Sequence, residues 1–366
     1  MIYVEPTPYI LGLVEIVSRA WPDGVDVLFM KENVSQSWGV SLDPRHMALL
    51  PARPMAALKA IRSRLASNDY TIVHLAGWAP SLMLASMLMA RCRRIPVTVE
   101  SDTPLPRGLP YWKRAVKRLS YPLLFRLPAM FLPGGKRQAA YLRHYGVIGD
   151  RITMAMMTVD VASISRYVDG IDSLQREKLR GELGLADAAI VFLYVGRMEP
   201  HKGVRELIEA FSRLPVGDGA SPTLLLVGDG SMRTFVEGAA ADSHIRFTGR
   251  LSGTALLDAY AAADVFVLAS RFEPWGLVVN EAMAAGLPVI ATDRVGCVDD
   301  LVIEGETGCV VSADSVDALA AAMQSLYFDR ALCGKMARSS RALITGWTLQ
   351  NEAEIVVNAW NRLVKP

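Results

Sequence analysis

The chain has 366 residues, is 51% hydrophobic and carries a net charge of +2. That length favours two domains, the apolar content excludes a disordered chain, and the near-neutral balance excludes a nucleic-acid binder held by bulk charge. The opening "MIYVEPTPYILGLVEIV" has an acid and two prolines where a secretory signal needs a basic start, so the chain reads as cytoplasmic.

In the first half, "YTIVHLAG" and "IPVTVESD" read as strands, with the helix "APSLMLASMLMARC" between them. The apolar run 81–90 within that helix is about half the length that spans a bilayer. A second helix, "YWKRAVKRLSYPLLFRLP" (111–128), puts Lys113, Arg114, Lys117 and Arg118 on one side, with Trp112, Ala115, Val116 and Leu119 over much of the rest. Its basic side is either a solvated face or, through 111–126, a peripheral contact with an anionic membrane. "MFLPGG" begins another unit, and the irregular stretch "TMAMMTVDVASISRYVDG" (153–170) marks the domain boundary.

The second half is more regular. "AAIVFLYVG" and "TLLLVG" are strands, and Val204, Leu207, Ile208, Phe211 and Leu214 make one apolar helix face between them. "ALLDAYAAA" is a helix, "DVFVLAS" a strand, "LVVNEAMAAG" a helix ending near Gly286, and "PVIATD" a strand. Apolar strands alternating with helices predict a parallel sheet covered on both faces, with ligands outside the carboxyl ends of the strands. The expected architecture is two Rossmann-like domains facing a cleft, over 1–160 and 161–345. A helical tail, 346–366, crosses back to the first domain. Cys92, Cys297, Cys309 and Cys333 have no close spacing, so no disulfide framework or zinc site is expected.

Each strand end in the second half carries a distinctive set. In "YVGRMEPHKG", Gly196 ends the strand and Arg197 and Lys202 follow, with Lys202 at a helix start; free amides and two cations there suit a diphosphate. Gly228 and Gly230 in "LLLVGDG" would let a planar ring approach the backbone, and the amides of Arg250 and Leu251 in "FTGRL" could read a base edge. Each of these is also what an ordinary turn contains.

"SRFEPWGLVVNEAMAAGLPVIATD" sets two acids in an apolar stretch. Gly276 opens a helix, so the amides of Gly276, Leu277 and Val278 lack intrahelical partners. Glu273 stands just before them and Glu281 about a turn and a half beyond. A carboxylate accepts two hydrogen bonds, which matches the vicinal hydroxyls of a ribose at Glu281, and sugar hydroxyls at Glu273. A helix start for phosphate, with a sugar on one side and a ribose on the other, fits one ligand, a nucleotide diphosphate sugar. The plain alternative is one capping and one surface glutamate.

"GRMEPHKG" together with "SRFEPWGLVVNEAMAAGLPVIATDRVGCVDDLVIEGETG" resembles the retaining glycosyltransferases of family 4, which have the GT-B fold. The resemblance is strong over roughly 185–330 and extends to "LLDAYAAADVFVLAS", with weaker marks in "TVD" (158–160) and "GW" (346–347). It implies that Arg197 and Lys202 hold the donor diphosphate, Glu281 the ribose and Glu273 the transferred sugar. It implies front-face transfer with retention, with Arg197, Lys202 and Glu273 as the catalytic set. Neither a cofactor nor a metal is expected. The partners implied are the nucleotide sugar and a saccharide or lipid-linked acceptor, with no nucleic acid. The first half departs from the family. Gly12 is the single glycine where many members have a Gly-Gly loop, and Glu100, Ser101 and Asp102 stand where many have a histidine. These residues become acceptor-site candidates, with His74 a substitute for the missing histidine. A nucleotide-sugar epimerase of the same fold and a non-catalytic nucleotide-sugar binder remain as alternatives.

Overall fold

Runs such as "IVFLYV" and "PTLLLV" carry no charge to place in water, and both become strands buried along their whole length. They belong to a computed structural model that describes residues 1–32, 40–106, 108–185, 190–215, 221–242 and 244–364. Ala188 and Ala189, read above as the start of a strand, lie outside the described residues.

The chain divides into two units. The first comprises Met1–Thr158 with Leu349–Pro366, and the second Val159–Thr348. In the first unit, β1 (Ile2–Tyr3), β2 (Val27–Phe29), β3 (Met47–Leu49), β4 (Val73–Leu75), β5 (Val97–Ser101) and β6 (Met130–Pro133) pair in parallel, in the order β3-β2-β1-β4-β5-β6. In the second, β7 (Ile190–Val195), β8 (Pro222–Val227), β9 (Ile245–Gly249), β10 (Val265–Leu268), β11 (Val289–Thr292) and β12 (Gly308–Val311) run in the order β12-β11-β10-β7-β8-β9. Both are doubly wound Rossmann-like sheets, and in each the strand order reverses beside the first strand.

The stretch 153–170 is less irregular than its sequence implies. Asp160 accepts a hydrogen bond from the Ser163 amide at 3.0 Å and so caps a helix, Val161–Asp169, whose Val161 and Ile164 are buried. The second unit begins two residues before that helix. The last helix, Leu349–Val364, packs on the helix Pro8–Ala20 of the first unit. Its buried stripe of Leu349, Ala353, Val356, Ala359 and Trp360 shares a core with Leu13, Val17 and Trp21, and the Trp21 and Trp360 rings meet edge to face at 5.2 Å. No helix among the described residues is long and apolar enough to cross a membrane.

Candidate functional site

In the second unit the reversal falls between β7 and β10. The loops leaving these two strands carry Gly196–Lys202 and Ser270–Gly276 respectively. They are tied together by backbone, with the Arg271 amide donating to the His201 carbonyl at 2.8 Å. Close approach of the loops demands a glycine at 203. It has φ +71°, and a Cβ there would lie 1.9 Å from the Ala269 carbonyl oxygen.

Lys202 ends a short 3₁₀ turn, Pro200–Lys202, and does not start the following helix, which begins at Val204 because Gly203 turns the chain first. Lys202 Nζ donates to Glu273 Oε2, and both side chains are about five-sixths buried. The residues expected to hold phosphate and sugar thus hold each other. Arg197 is 61% exposed, and its Nη2 donates to Glu199 at 3.1 Å. Glu199 also accepts from the Ser231 hydroxyl at 2.6 Å, and these hydrogen bonds hold its carboxyl below the usual range. Glu273 is fixed by its own backbone, which pairs with the segment Arg294–Gly296.

Gly276, at φ +102°, turns the chain into the eight-residue helix Leu277–Ala284. Val279 makes the first backbone bond of that turn, back to Gly276 at 2.8 Å. The amides of Gly276, Leu277 and Val278 stand ahead of it, at the positive end of the helix. One turn on, Glu281 Oε2 accepts from the Tyr260 hydroxyl at 2.7 Å. Burial pushes the Glu281 carboxyl up to about 7, partly offset by that hydrogen bond. Tyr260 escaped the sequence reading, although a tyrosine in the alanine-rich helix Thr254–Ala262 was the signal.

The glycines after β8 also have a packing reason. A Cβ on Gly228 would fall 1.8 Å from the Gly196 carbonyl oxygen, and one on Gly230 would fall 2.6 Å from that of Met198. Both let the β8 loop lie against the β7 loop, where backbone fills the place of their missing side chains. The Gly196 amide in turn donates to Val227 at 3.0 Å. Arg250 and Leu251 follow β9 at the same sheet end, where the Gly228 amide donates to the Gly249 carbonyl.

The reversal in the first unit, between β1 and β4, opens a cavity of about 500 Å³. Tyr3 lines it from β1 with Glu5 and Tyr9 beyond that strand, Trp78 follows β4, and Glu100 and Ser101 end β5 with Asp102 just after. Glu352 enters it from the last helix, where it interrupts the apolar stripe; burial and then the neighbouring Glu100 push its carboxyl well above the usual range. That interruption was a readable sign, overlooked because the tail was read as a helix only.

His74 is 1% exposed and lies behind this wall. Its Nε2 is 2.9 Å from Glu100 Oε1 and its Nδ1 2.8 Å from Thr98 Oγ1. Trp360 Nε1 donates to the same Thr98 oxygen at 3.1 Å. With Glu100 as the acceptor, the network assigns the His74 proton to Nε2 and turns the Thr98 hydroxyl toward Nδ1. His74 therefore orients Glu100 and does not line the cavity. Gly12 does not line it either. It sits inside the helix Pro8–Ala20, where a Cβ would press on Leu349 Cδ1 at 2.9 Å.

The helix Tyr111–Leu124 splits the basic cluster that its sequence placed on one side. Lys117 turns inward to line the cavity, donating to Tyr141 Oη at 3.2 Å and lying over the Tyr121 ring. Lys113, Arg114 and Arg118 stay outside, among exposed Tyr111, Trp112, Val116, Leu119 and Leu123.

Comparison with known proteins bears on the fold and on the second half of the chain. Residues 175–343 match the family model described as glycosyl transferases group 1. Glycogen synthase of Mycobacterium tuberculosis is 38% identical over 157 residues, 42% of this chain and 37% of that protein. The D-inositol 3-phosphate glycosyltransferase of Arthrobacter sp. is 26% identical over 331 residues, 85% of this chain and 75% of that protein. The chain thus spans well under half the length of the glycogen synthase that it matches. A crystal structure of Anabaena HepE in complex with UDP-glucose superposes with a TM-score of 0.77 at 17% identity, covering 98% of this chain and 97% of that one. Sucrose-phosphate synthase from Thermosynechococcus elongatus superposes at 0.75 with 21% identity, over 97% and 92% of the two chains. The fold is GT-B, and residues 175–343 match the group 1 glycosyl transferases.

Proposed function

We propose that this protein is a glycosyltransferase that moves a sugar from a nucleotide diphosphate sugar to a saccharide or lipid-linked acceptor. The transfer retains anomeric configuration and serves the synthesis of cell-surface polysaccharide or glycolipid. The observation that carries the proposal is the strand reversal of the second unit. The loops leaving β7 and β10 bring Lys202 onto Glu273 there, with Arg197 in the first loop and the amides of Gly276, Leu277 and Val278 at the end of the second.

In the proposed reaction the bond from the anomeric carbon to the diphosphate oxygen breaks. The acceptor oxygen bonds to that carbon from the same face, and its proton passes to the leaving phosphate. Charge grows on the diphosphate and is met by Lys202, which has N–H donors beyond the one given to Glu273, by Arg197 once it turns from Glu199, and by the amides of Gly276, Leu277 and Val278. Glu273 takes the hydroxyls of the transferred sugar, and the Lys202 partner fixes its direction meanwhile. Glu281 takes the ribose diol through Oε1, since Tyr260 already occupies Oε2. We assign the leaving group's charge to these cations and amides, and no metal to the reaction.

The outer face of the helix Tyr111–Leu124 supports a lipid-linked acceptor. It combines exposed aromatic and aliphatic groups with cations, and the chain carries no acid between Asp102 and Asp150. On this reading the protein works at the cytoplasmic face of a membrane. Incubation with labelled nucleotide sugars and a lipid extract tests the reading. Labelled lipid is the expected product. Isomerised donor would make the protein an epimerase, and binding without turnover would make it a non-catalytic partner.

A further inference from the structure

The cavity of the first unit lies at the switch point of its sheet, where open parallel sheets take ligands. A file of polar side chains runs through the apolar core to its wall. Thr98 and Glu100 stand two apart on β5 and so share one face, and the sheet register pairs Thr98 with His74 of β4. The last helix lays Trp360 on the same threonine. Thr98, His74 and Trp360 are each 1% exposed or less, beside buried Val73, Leu75, Val97 and Val99 of the same two strands. Apolar side chains would fill such places without any hydrogen bonds to satisfy, which points to a use beyond packing. Resting on the transferase reading above, we infer that Trp360 and Thr98 are positioning residues for the acceptor. Through His74 they hold the Glu100 carboxylate on the cavity wall, where it accepts a hydrogen bond from a ring hydroxyl of the acceptor.

The direction of the file carries the inference. An indole N–H can only donate, so Thr98 Oγ1 accepts from Trp360, at 3.1 Å, and its own proton is left for His74 Nδ1, at 2.8 Å. A neutral ring that accepts at Nδ1 carries its proton on Nε2, 2.9 Å from Glu100 Oε1. The other tautomer would set a bare Nε2 against a carboxylate oxygen. A ring protonated at both nitrogens would leave the buried Thr98 proton with no acceptor among the described residues. The rings of Tyr3 and Trp360, at 6.0 and 5.6 Å, flank the imidazole and keep it from turning.

The Tyr3 hydroxyl adds a second donor to Glu100 Oε1, at 3.3 Å. Among the described residues both donors reach this one oxygen, which leaves Oε2 for a ligand. The carboxylate is thus held before any ligand arrives. Trp78, Tyr9 and Tyr121 line the same cavity and offer flat faces to the C–H side of a sugar ring.

Two measurements on the full chain at neutral pH test this. The first is nitrogen NMR of the His74 ring, assigned by comparison with His74→Gln. It should show Nε2 protonated and Nδ1 bare, and a proton on Nδ1 overturns the inference. The second is binding of a panel of methyl hexopyranosides, followed by saturation-transfer NMR. At least one should bind, and Glu100→Ala should weaken it about tenfold. Trp360→Phe keeps an aromatic ring against Trp21 and removes the N–H. That variant and Thr98→Val should each weaken the same probe about threefold. In the Glu100→Ala background neither should weaken it further, because the group they position is gone. A role in the core alone would make the losses add, so additive losses overturn the inference, as does the absence of any binder or a probe indifferent to Glu100→Ala. Should Glu100→Ala fail to fold, the ring NMR and the two outer variants carry the test, and a probe indifferent to both overturns it. Affinity for UDP, ADP and GDP on the same samples keeps the two readings apart. A parent protein that binds none of them sinks the transferase reading, whereas the ring NMR and the paired variants judge the positioning role on its own.

Discussion

The two sheets reverse at equivalent places and present opposite chemistry there. Beside β7 the strand ends present amides, two cations and an acid already matched to one of them. Beside β1 they present carboxylates and aromatic faces around a cavity, with Lys117 turned onto tyrosines. The topology fixes where a ligand lies, and the few residues after each strand fix which ligand it is. In both places a charged side chain that should meet ligand is first tied to a neighbour, Glu273 by Lys202 and Glu100 by His74. The ties differ in kind. Lys202 is itself a phosphate-binding candidate, whereas His74 is buried and purely supporting.

The comparison breaks most visibly if the second-unit cations are removed. Lys202→Ala should lower kcat by about 10²–10³-fold, more than it raises KM, because the charge it meets grows in the transition state. Arg197→Ala should do less, since its side chain is mostly in solvent. Steady-state kinetics with the donor decides this, and an effect confined to KM would reduce both residues to ground-state anchors.

Glu281→Ala comes next. Two charge-assisted hydrogen bonds to a ribose are worth roughly 2–4 kcal/mol, so titration calorimetry with the free nucleoside diphosphate should show that loss. Unchanged affinity would remove Glu281 from the nucleotide.

Glu273→Gln separates the acid from the cation it holds. Freed of its partner, Lys202 should bind nucleoside diphosphate as well as before or better. Turnover of the intact donor should fall about tenfold or more, with poorer discrimination between epimeric sugars. Parallel loss of both ligands would place Glu273 at the nucleotide instead.

A smaller effect follows pH. Glu281, pushed up to about 7, ionises over the range in which binding is measured, and only the carboxylate accepts both ribose hydroxyls. Nucleoside diphosphate affinity should rise several-fold as pH climbs through 7, while a 2′-deoxy analogue stays flat. Tyr260→Phe removes a hydrogen bond that favours the charged form, so the rise should move to higher pH. Stability should run the other way. A carboxyl raised above its unfolded value of 4.5 contributes stability fully present below that pH, and the contribution is lost as pH rises toward 7. A thermal-unfolding series with and without nucleotide would show the two trends crossing.

The smallest expected effect lies outside both sites. Changing Lys113, Arg114 and Arg118 together to Gln should weaken binding to anionic vesicles and reduce its salt dependence, while transfer to a soluble acceptor stays near the parent rate. Vesicle binding equal to the parent's would make that face a solvated one.

The second unit was largely legible because its strands are long and apolar enough to be read one by one. The first was not, because β1 is two residues and β2 and β3 are three each, too short for a period to show. The helix Val161–Asp169 was missed for want of attention to its cap at Asp160. Side chains separated widely in sequence were hidden for another reason. Nothing local joins Trp360 to Thr98, Lys202 to Glu273 or Tyr260 to Glu281; the sheet order brings them together. Glycine was legible as a need and not as a cause, since 12, 228 and 230 all sit where other atoms of the protein crowd in.

The last helix gives the first unit a timetable. Trp360 completes the core around Trp21 and the hydrogen-bond chain behind Glu100, so the unit that starts the chain cannot be finished until its far end has been synthesised. The second unit, contained within Val159–Thr348, has no such wait. Folding on the ribosome should therefore run against the usual N-terminal-first order. Nascent chains stalled just past Thr348 should show a protease-resistant second unit beside a digestible first one, and equal resistance of the two would show that the helix is an addition to a unit already closed.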